Sequence, residues 1–382
     1  MRLTDDHRSF AATVRSVVDT QINPYVDQWE ADGIFPAHEL FPQLGKYGLL
    51  GLEYSPEDGG EGADHSYTMV ACEEFGRIAA GGVSMAINVQ ANMATPSLAK
   101  YGSPELRQKF LKPAIAGEMV AAIGVTEPDT GSDVSALRTR ATRDGDDWVI
   151  TGRKLYITNG VQADWVCLLV RTSDEGGYRG MSQIVVPTAS EGFSVARKLD
   201  KLGNRSSDTA ELVLDQVRVP VENTIGTIGR GFQQQMEQFV IERMAAAYSI
   251  VGQVDVALEK TRDYLLQRKT FGKALAQHQY IAFRLTELAA RNDLLRHHNQ
   301  AVCEAVLAGE DITRMASIAK WEAGRLVREV ADMCLQFHGG IGYMEETWTA
   351  RMFRDARLAS IGGGADEVML QVVARIDGYP LS

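Results

Sequence analysis

A chain of 382 residues with 45% hydrophobic content is too long for one compact core and suits two or three packed domains. Its formal net charge of -11 and sequence pI near 5.2 argue against a nucleic-acid surface, and no basic run contradicts that. Cys72, Cys167, Cys303 and Cys334 lack the spacing of a metal or redox site, so reduced core thiols are expected rather than a disulfide framework. There is no HExxH or Ser/His/Asp arrangement, and no metal is expected. No apolar run is long enough to span a bilayer, and the start leads into an amphipathic helix. The expectation is a soluble bacterial cytoplasmic protein, or one of the mitochondrial matrix if a transit peptide has been removed.

Thr4 or Asp5 caps a first helix whose apolar positions Phe10, Val14, Val17 and Val18 keep helical spacing until Asn23-Pro24 stops it. A helix predicted from Pro42 to Leu50 gives way to a glycine-rich stretch from Gly51 to Gly62. That stretch lacks the preceding strand and the following Lys-Ser/Thr of a phosphate loop, so it reads as a tight connection between helices. Tyr67 to Arg77 and Val83 to Tyr101 read as two helices, the second carrying small residues at Ala86, Ala91 and Ala94. Ser103-Pro-Glu starts a third with proline in its first turn, and the helical block ends near Ala116 to Met119.

From Val120 the period becomes that of strands. Val120 to Val125 runs into a turn where Pro128 fixes φ and Gly131 permits close backbone approach; Thr126, Thr130 and Ser132 offer hydroxyls to a polar ligand. Ala141 to Ile150 carries an Asp-Gly turn between runs able to pair as a hairpin. Trp165 to Val170, Gln183 to Val186, Phe193 to Val195 and Ala210 to Val219 continue the pattern, closed by Pro220. Gly226-Thr-Ile-Gly-Arg-Gly231 has the wrong spacing for a dinucleotide fingerprint and reads as a hinge. From Phe232 the chain is helical again, interrupted at Gly309 to Thr313 and at Gly339-Gly340, and Ala365 to Ile376 forms the last helix. The expected organisation is α+β: an N-terminal helical domain over residues 1–119, a central β-barrel-like or β-sandwich domain over 120–228, and a C-terminal helical domain over 229–382.

Ile123-Gly-Val-Thr-Glu-Pro-Asp-Thr-Gly-Ser-Asp133 resembles the first signature of the acyl-CoA dehydrogenase family, departing from it at Thr130, where the family usually has a smaller residue. Gln336-Phe-His-Gly-Gly-Ile-Gly-Tyr343, followed by Glu346, Arg351 and Asp355, resembles the second signature at every constrained position. Lys154 to Gly160, Arg268 to Lys273 with His278-Gln279, and Ile361 to Glu367 follow in the family's order, so the resemblance spans essentially the whole chain. It implies the family's fold, with a four-helix bundle as its last domain, together with bound FAD, an acyl-CoA substrate and a homo-oligomer, commonly a tetramer. Residue by residue, it implies that Ile123, Val125, Thr126, Gly131 and Ser132 line the flavin and that Tyr156, Ile157 and Thr158 close its other face, with Thr158 reaching N5. Arg268, Thr270, Phe271, His278, Gln279, Gln336, Gly339 and Gly340 are implied to hold the adenine–pyrophosphate end, largely across to a neighbouring subunit. Taken singly, Arg268 reads as a surface charge, Gly339-Gly340 as a helix break and His338 as structural. Ala365 and Glu367 are implied to meet the flavin where the last helix starts; Ser132, Phe239, Arg243, Gly363 and Gly364 are implied to face the substrate.

Desaturating an acyl thioester requires removal of an α-proton and loss of a hydride from the β-carbon, both in fixed geometry. Short- and medium-chain relatives carry their glutamate in the loop before the last helix, at the position that is Gly363 here. Phe239-Val-Ile-Glu-Arg-Met244 instead resembles the arrangement of isovaleryl-CoA and long-chain dehydrogenases, which implies Glu242 as the base. At helical spacing it shares a face with Phe239 and Ala246, where partial desolvation raises a carboxyl's pKa. A surface glutamate is the plain alternative, and Glu367 is the rival carboxylate. The Gly363 N–H is a candidate for polarising the thioester carbonyl. The stretches Ile361 to Met369 and Arg205 to Thr209 look most like citronellyl-CoA dehydrogenases and their long-chain relatives, favouring a medium or long acyl chain, straight or methyl-branched, over isovaleryl-CoA. The resemblance further implies an electron-transferring flavoprotein as electron acceptor. An oxygen-using acyl-CoA oxidase or monooxygenase of the same fold, and a non-catalytic acyl-CoA-binding subunit, are the competing readings.

Overall fold

The computed structural model describes Met1 and residues 3–380; Arg2 of the opening segment, and Leu381 and Ser382 at the end of the expected third domain, lie outside the described residues. Helix α1 (Asp5–Val17) begins with a capping box in which Thr4 and His7 each accept from the other's backbone N–H. A π turn over Val18–Ile22 and the Asn23-Pro24 turn end it where proline was expected to. α2 (Val26–Asp32), α3 (Ala37–Lys46), α4 (His65–Phe75), α5 (Gly81–Asn88), α6 (Pro96–Tyr101), α7 (Pro104–Leu106) and α8 (Lys112–Ile115) complete the N-terminal block. Two expectations shift. α3 begins at Ala37, with Pro42 inside its second turn rather than at its start. The helix expected over Val83 to Tyr101 is divided: a π turn over Val89–Ala94 follows α5, and Pro96, which cannot donate to the preceding turn, restarts the chain as α6. The Thr95 hydroxyl meets the carbonyls of Gln90 (3.0 Å) and Ala91 (3.1 Å) that this break leaves free.

The β block comprises β1 (Ala121–Gly124), β2 (Arg140–Asp144), β3 (Asp147–Thr158), β4 (Trp165–Arg171), β5 (Met181–Pro187), β6 (Phe193–Lys198), β7 (Thr209–Pro220) and β8 (Thr224–Ile225). The sheet runs β6-β7-β3-β2-β4-β5-β8, with β1 parallel to β4. β2 and β3 form the expected hairpin, Asp144 pairing Asp147 around Gly145-Asp146. β4 reads as a continuous apolar run because both its faces are covered. Val166, Leu168 and Val170 join Ile150, Leu212 and Val217 in the sheet's own core, whereas Trp165 and Cys167 turn outward to Phe110, Leu111 and Ile115 of the helical block.

The C-terminal block holds α9 (Gly231–Gln267), a short ribbon of β9 (Lys269–Thr270) and β10 (Lys273–Ala274), α10 (Gln279–Leu307), α11 (Thr313–His338), α12 (Trp348–Ala356) and α13 (Asp366–Ile376). Its core packs Tyr248, Val251 and Val254 of α9 against Leu288, Leu295, Val327 and Val330, and takes in Met69 and Cys72 of α4. α4 and α9 touch backbone to backbone at Gly76 and Gly252, where a Cβ on either would overlap the carbonyl oxygen of Ser249 or Glu73. A second joint unites all three blocks: the Asp355 carboxylate accepts from the backbone N–H groups of Gly81 (3.0 Å) and Asn204 (2.6 Å). Burial there pushes the Asp355 carboxyl up to about 6. All four cysteines are buried and free, and burial drives the Cys72 thiol up to about 12. Among the described residues, no helix is long and apolar enough to cross a membrane.

Candidate active site

The loop after β1 and the end of β3 form one wall. Leu155 donates its backbone N–H to the Thr126 carbonyl (2.9 Å), and the Lys154 ammonium reaches the Val125 and Leu169 carbonyls (3.0 and 2.7 Å) and the Glu127 carboxylate (2.9 Å). Glu127 also accepts from the N–H groups of Arg138 (2.7 Å) and Thr139 (2.9 Å). Every proton of this buried ammonium has an acceptor, and the loop is moulded around the pair. Neither residue was singled out from the sequence, yet a signal existed: Lys154 shares by strand alternation the inward face of Trp148 and Ile150.

A bulge then reverses the wall. The register against β7 shifts between Lys154 and Ile157, and Tyr156 takes φ 63°, so Ile157 enters the sheet core while Tyr156 is 66% exposed. Tyr156 therefore offers a ring to a flat ligand, whereas Ile157 has only backbone to offer. Thr158, at the strand's end, is half-buried, and Gly131 and Ser132 are exposed; a Cβ on Gly131 would meet nothing within 4 Å. Thr130 departs from the expectation: it is buried, and its hydroxyl points to the Ala136 carbonyl (3.4 Å) rather than to a ligand.

Glu242, on α9, is 6% exposed. Burial pushes its carboxyl up to about 8, against the opposing pull of the Gln238 amide, which donates to Oε1 at 3.0 Å, and of the Arg243 charge. The same Gln238 amide donates to the Met93 carbonyl and its oxygen accepts from Ser97, fixing α9 against the segment before α6. Cys167, paired with Ile123 across β4 and β1, is pushed up to about 12 by burial and then by the Glu242 charge. Arg243 reaches Ser317 (3.3 Å), but its buried Nε has no partner. Phe239 is half-buried beside this group.

Lys320 of α11, 2% exposed, donates to the carbonyls of Ala359 (2.7 Å) and Gly364 (3.0 Å), and so ties down the loop before α13. Burial pushes its ammonium down to about 8, Arg243 adding to the shift and Asp366 opposing it. Gly363 lies there at φ +63°, Ala365 caps α13 and Glu367 is exposed in its first turn. A cavity of about 140 Å³ opens between α4, the 89–94 turn and α9, its walls including Leu50, Phe75, Ala91 and Ile241. Of the three small residues noted in the sequence, only Ala91 lines it; Ala86 and Ala94 are core.

The remaining candidates gather at the opposite end of α9. Arg268 lies more than seven turns beyond Glu242, roughly 39 Å along the axis. Around it, Thr270 is half-buried, Phe271 is 98% exposed at φ 51°, Gln279 is exposed and His278 keeps a buried Nε2 without a partner. The end of α11 joins them, His338 stacking on Tyr264 with ring centroids 4.2 Å apart. Gln336, Gly339 and Gly340 are exposed, and a Cβ on either glycine would meet nothing within 4 Å. An orphaned imidazole nitrogen, an exposed guanidinium and open glycine backbone suit a pyrophosphate group, and the wall at Tyr156 and Gly131 suits a planar ring. The wall at Tyr156 and Gly131 stands in the β block, whereas Arg268 and Gly339-Gly340 stand in the C-terminal block at the end of α9 far from Glu242.

Three family models cover nearly the whole chain: the acyl-CoA dehydrogenase N-terminal domain over residues 4–118, the middle domain over 122–217 and the C-terminal domain over 229–376. The long-chain specific acyl-CoA dehydrogenase of Rattus norvegicus mitochondria is 34% identical over 378 residues, spanning 97% of this chain and 86% of that protein. The crystal structure of an acyl-CoA dehydrogenase from Geobacillus kaustophilus matches with a TM-score of 0.95 at 35% identity, covering 98% of this chain and 99% of the other. A glutaryl-CoA dehydrogenase from Mycobacterium smegmatis in complex with FADH2 matches with a TM-score of 0.94 at 29% identity, covering 100% and 96%. With its three domains matched in order and its fold superimposed end to end, the chain belongs to the acyl-CoA dehydrogenase family of oxidoreductases.

Proposed function

We propose that the protein uses FAD to convert an acyl-CoA with a medium or long chain, straight or methyl-branched, to the trans-2-enoyl-CoA, as a homotetramer that passes its electrons to an electron-transferring flavoprotein. When bound, FAD supplies the acceptor for the β-hydride. Tyr156, Thr126, Gly131, Ser132 and the backbone at Ile157 and Thr158 would hold its ring system, and Arg268, His278, Gln336 and Gly339-Gly340 of a neighbouring subunit its pyrophosphate end. The observation that carries the reading is the Glu242 carboxyl, buried on α9 next to the cavity residue Ile241 and pushed up to about 8. A carboxylate in that setting takes the α-proton at its Oε atoms. Gly363 leaves the opposite approach without a carboxylate, and its N–H is available to a thioester oxygen on which negative charge develops. Leu50, Phe75 and Ile241 give the cavity an apolar lining that suits an alkyl chain.

Substituting Glu242→Gln tests this. The variant is expected to keep flavin and acyl-CoA binding and to lose anaerobic flavin bleaching by a factor on the order of 10²–10⁴. Near-normal bleaching would assign the proton to another group.

A further inference from the structure

The cavity beside Glu242 is not uniformly apolar. Glu53 and Asn92 stand in its wall among Leu50, Phe75 and Ile241. Glu53 is held by a buried relay: His65 Nδ1 lies 2.9 Å from its Oε1, and His65 Nε2 lies 3.1 Å from the hydroxyl of Tyr248, a fully buried residue of α9. Burial works to raise the Glu53 carboxyl, but the hydrogen bond and charge of His65 outweigh it and keep it below the ordinary value, so the group is an ionised acceptor at neutral pH. Its side chain nevertheless retains 37% of its surface. Glu53 is thus a carboxylate of the cavity wall with surface open to a ligand's donor.

The other polar groups narrow what could meet it. Asn92 engages its amide hydrogens with Asn88 Oδ1 (3.0 Å) and Cys72 Sγ (3.7 Å), which leaves its carbonyl oxygen as the atom it can offer. Tyr54 already directs its hydroxyl to the Ala91 carbonyl and Thr95 (2.8 Å each). The Thr68 hydroxyl, in the same wall, is turned to Glu53 and helps His65 hold its carboxyl low. With these donors engaged, what remains available is acceptor capacity. An alkyl terminus placed there would strip water from a carboxylate and return no hydrogen bond, whereas a hydroxyl would satisfy it.

We infer that this cavity selects acyl groups bearing a hydrogen-bond donor, a hydroxyl on the distal carbons of the chain, and that Glu53 is the residue that selects them. The inference rests on the dehydrogenase reading for its assignment of the cavity to the acyl chain. To test it, octanoyl-CoA is compared with 7-hydroxy- and 8-hydroxyoctanoyl-CoA on the flavin-loaded protein by kcat/KM for flavin bleaching. Calorimetric Kd is measured in a Glu242→Gln background, where no turnover intervenes. A hydroxylated thioester should be preferred by about tenfold or more. Glu53→Leu should reverse the order, and Glu53→Gln, which keeps the shape and a hydrogen bond to His65, should cut the preference severalfold without loss of fold. Equal or better binding of octanoyl-CoA by the unaltered pocket would overturn the inference, as would Glu53 variants that weaken all three thioesters alike, the signature of a purely structural tie. Binding in the expected order without any bleaching would instead defeat the dehydrogenase reading and leave the pocket assignment standing.

Discussion

The Lys154 ammonium lies 2.9 Å from the Glu127 carboxylate, both buried, directly behind the loop whose outer face carries Gly131 and Ser132. Burial pushes the lysine down to about 8, while its partner's carboxyl is held low by Lys154 and the backbone N–H groups despite burial. The two shifts pull opposite ways on the pair; the complete set of partners around both groups favours the charged pair. Lys154→Met leaves an unmatched buried carboxylate and is expected to cost about 3–5 kcal/mol in urea denaturation. Adding Glu127→Gln should recover a large part of that. A loss under about 1 kcal/mol for the single variant would mean that the pair does not support the loop.

For Glu242, the pH dependence has a fixed sign. Its folded-state pKa of about 8 lies above the unfolded value of about 4.3, so between those limits the folded state holds a proton that the unfolded chain has released. Stability from this group therefore falls as pH rises through that window and levels off above it. Glu242→Gln should be more stable than the parent by about 3 kcal/mol at neutral pH and scarcely different near pH 4, read from thermal melts at both. The same group predicts that kcat/KM rises with pH through an inflection near 8. A flat profile from about pH 6 to 9 would exclude Glu242 as the base.

On the proposed function, in which Arg268 serves the flavin of a neighbouring subunit, flavin binding and assembly are coupled. Arg268→Ala is expected to lower flavin content, seen as a reduced ratio of visible to ultraviolet absorbance, and to shift sedimentation toward smaller species. A monomer carrying full flavin would refute cross-subunit binding.

At Gly363 a new Cβ would meet only Lys320 Cε, at 3.6 Å, although its φ of +63° costs an L-residue about 1 kcal/mol. Gly363→Glu in a Glu242→Gly background should therefore fold and recover part of the activity from the other side of the α-carbon. Lys320 and Arg243 nearby would hold the introduced carboxyl lower than Glu242, so the recovered activity should persist to lower pH. A folded double variant with no bleaching would show that the loop cannot present a carboxylate to the substrate.

Much of this was legible in the sequence because local physics dictated it. A polar cap at Thr4 or Asp5, the proline stop at Asn23-Pro24, the Asp-Gly turn between β2 and β3 and the missing loop glutamate at Gly363 are each readable from the local residues. Failures arose where a tertiary demand overrode a local pattern. Helical spacing does not distinguish α from π turns, so the break at Val89–Ala94 passed as continuous helix. Strand alternation carried through Lys154 would bury Tyr156 and expose Ile157; the bulge exchanges them, and nothing in the local residues announces it. Glu53 read as part of a connecting loop because its partners His65 and Tyr248 come from two other elements, the latter 183 residues further along the chain from His65.

Asp355 also constrains how the molecule is made. Its two backbone donors lie 274 and 151 residues earlier, at Gly81 and Asn204, so both are synthesised long before their acceptor. At a ribosomal rate of about 5–20 residues per second, Asn204 waits roughly ten to thirty seconds for Asp355 to appear. Through that interval β4 can already pack on Phe110 and Ile115, and α4 on α9, but the Gly81 and Asn204 N–H groups have no acceptor and the joint of all three blocks stays open. A ribosome stalled before residue 355 should thus display a chain that proteases cut around Gly81 and Asn204, and one stalled well past it a chain resistant there.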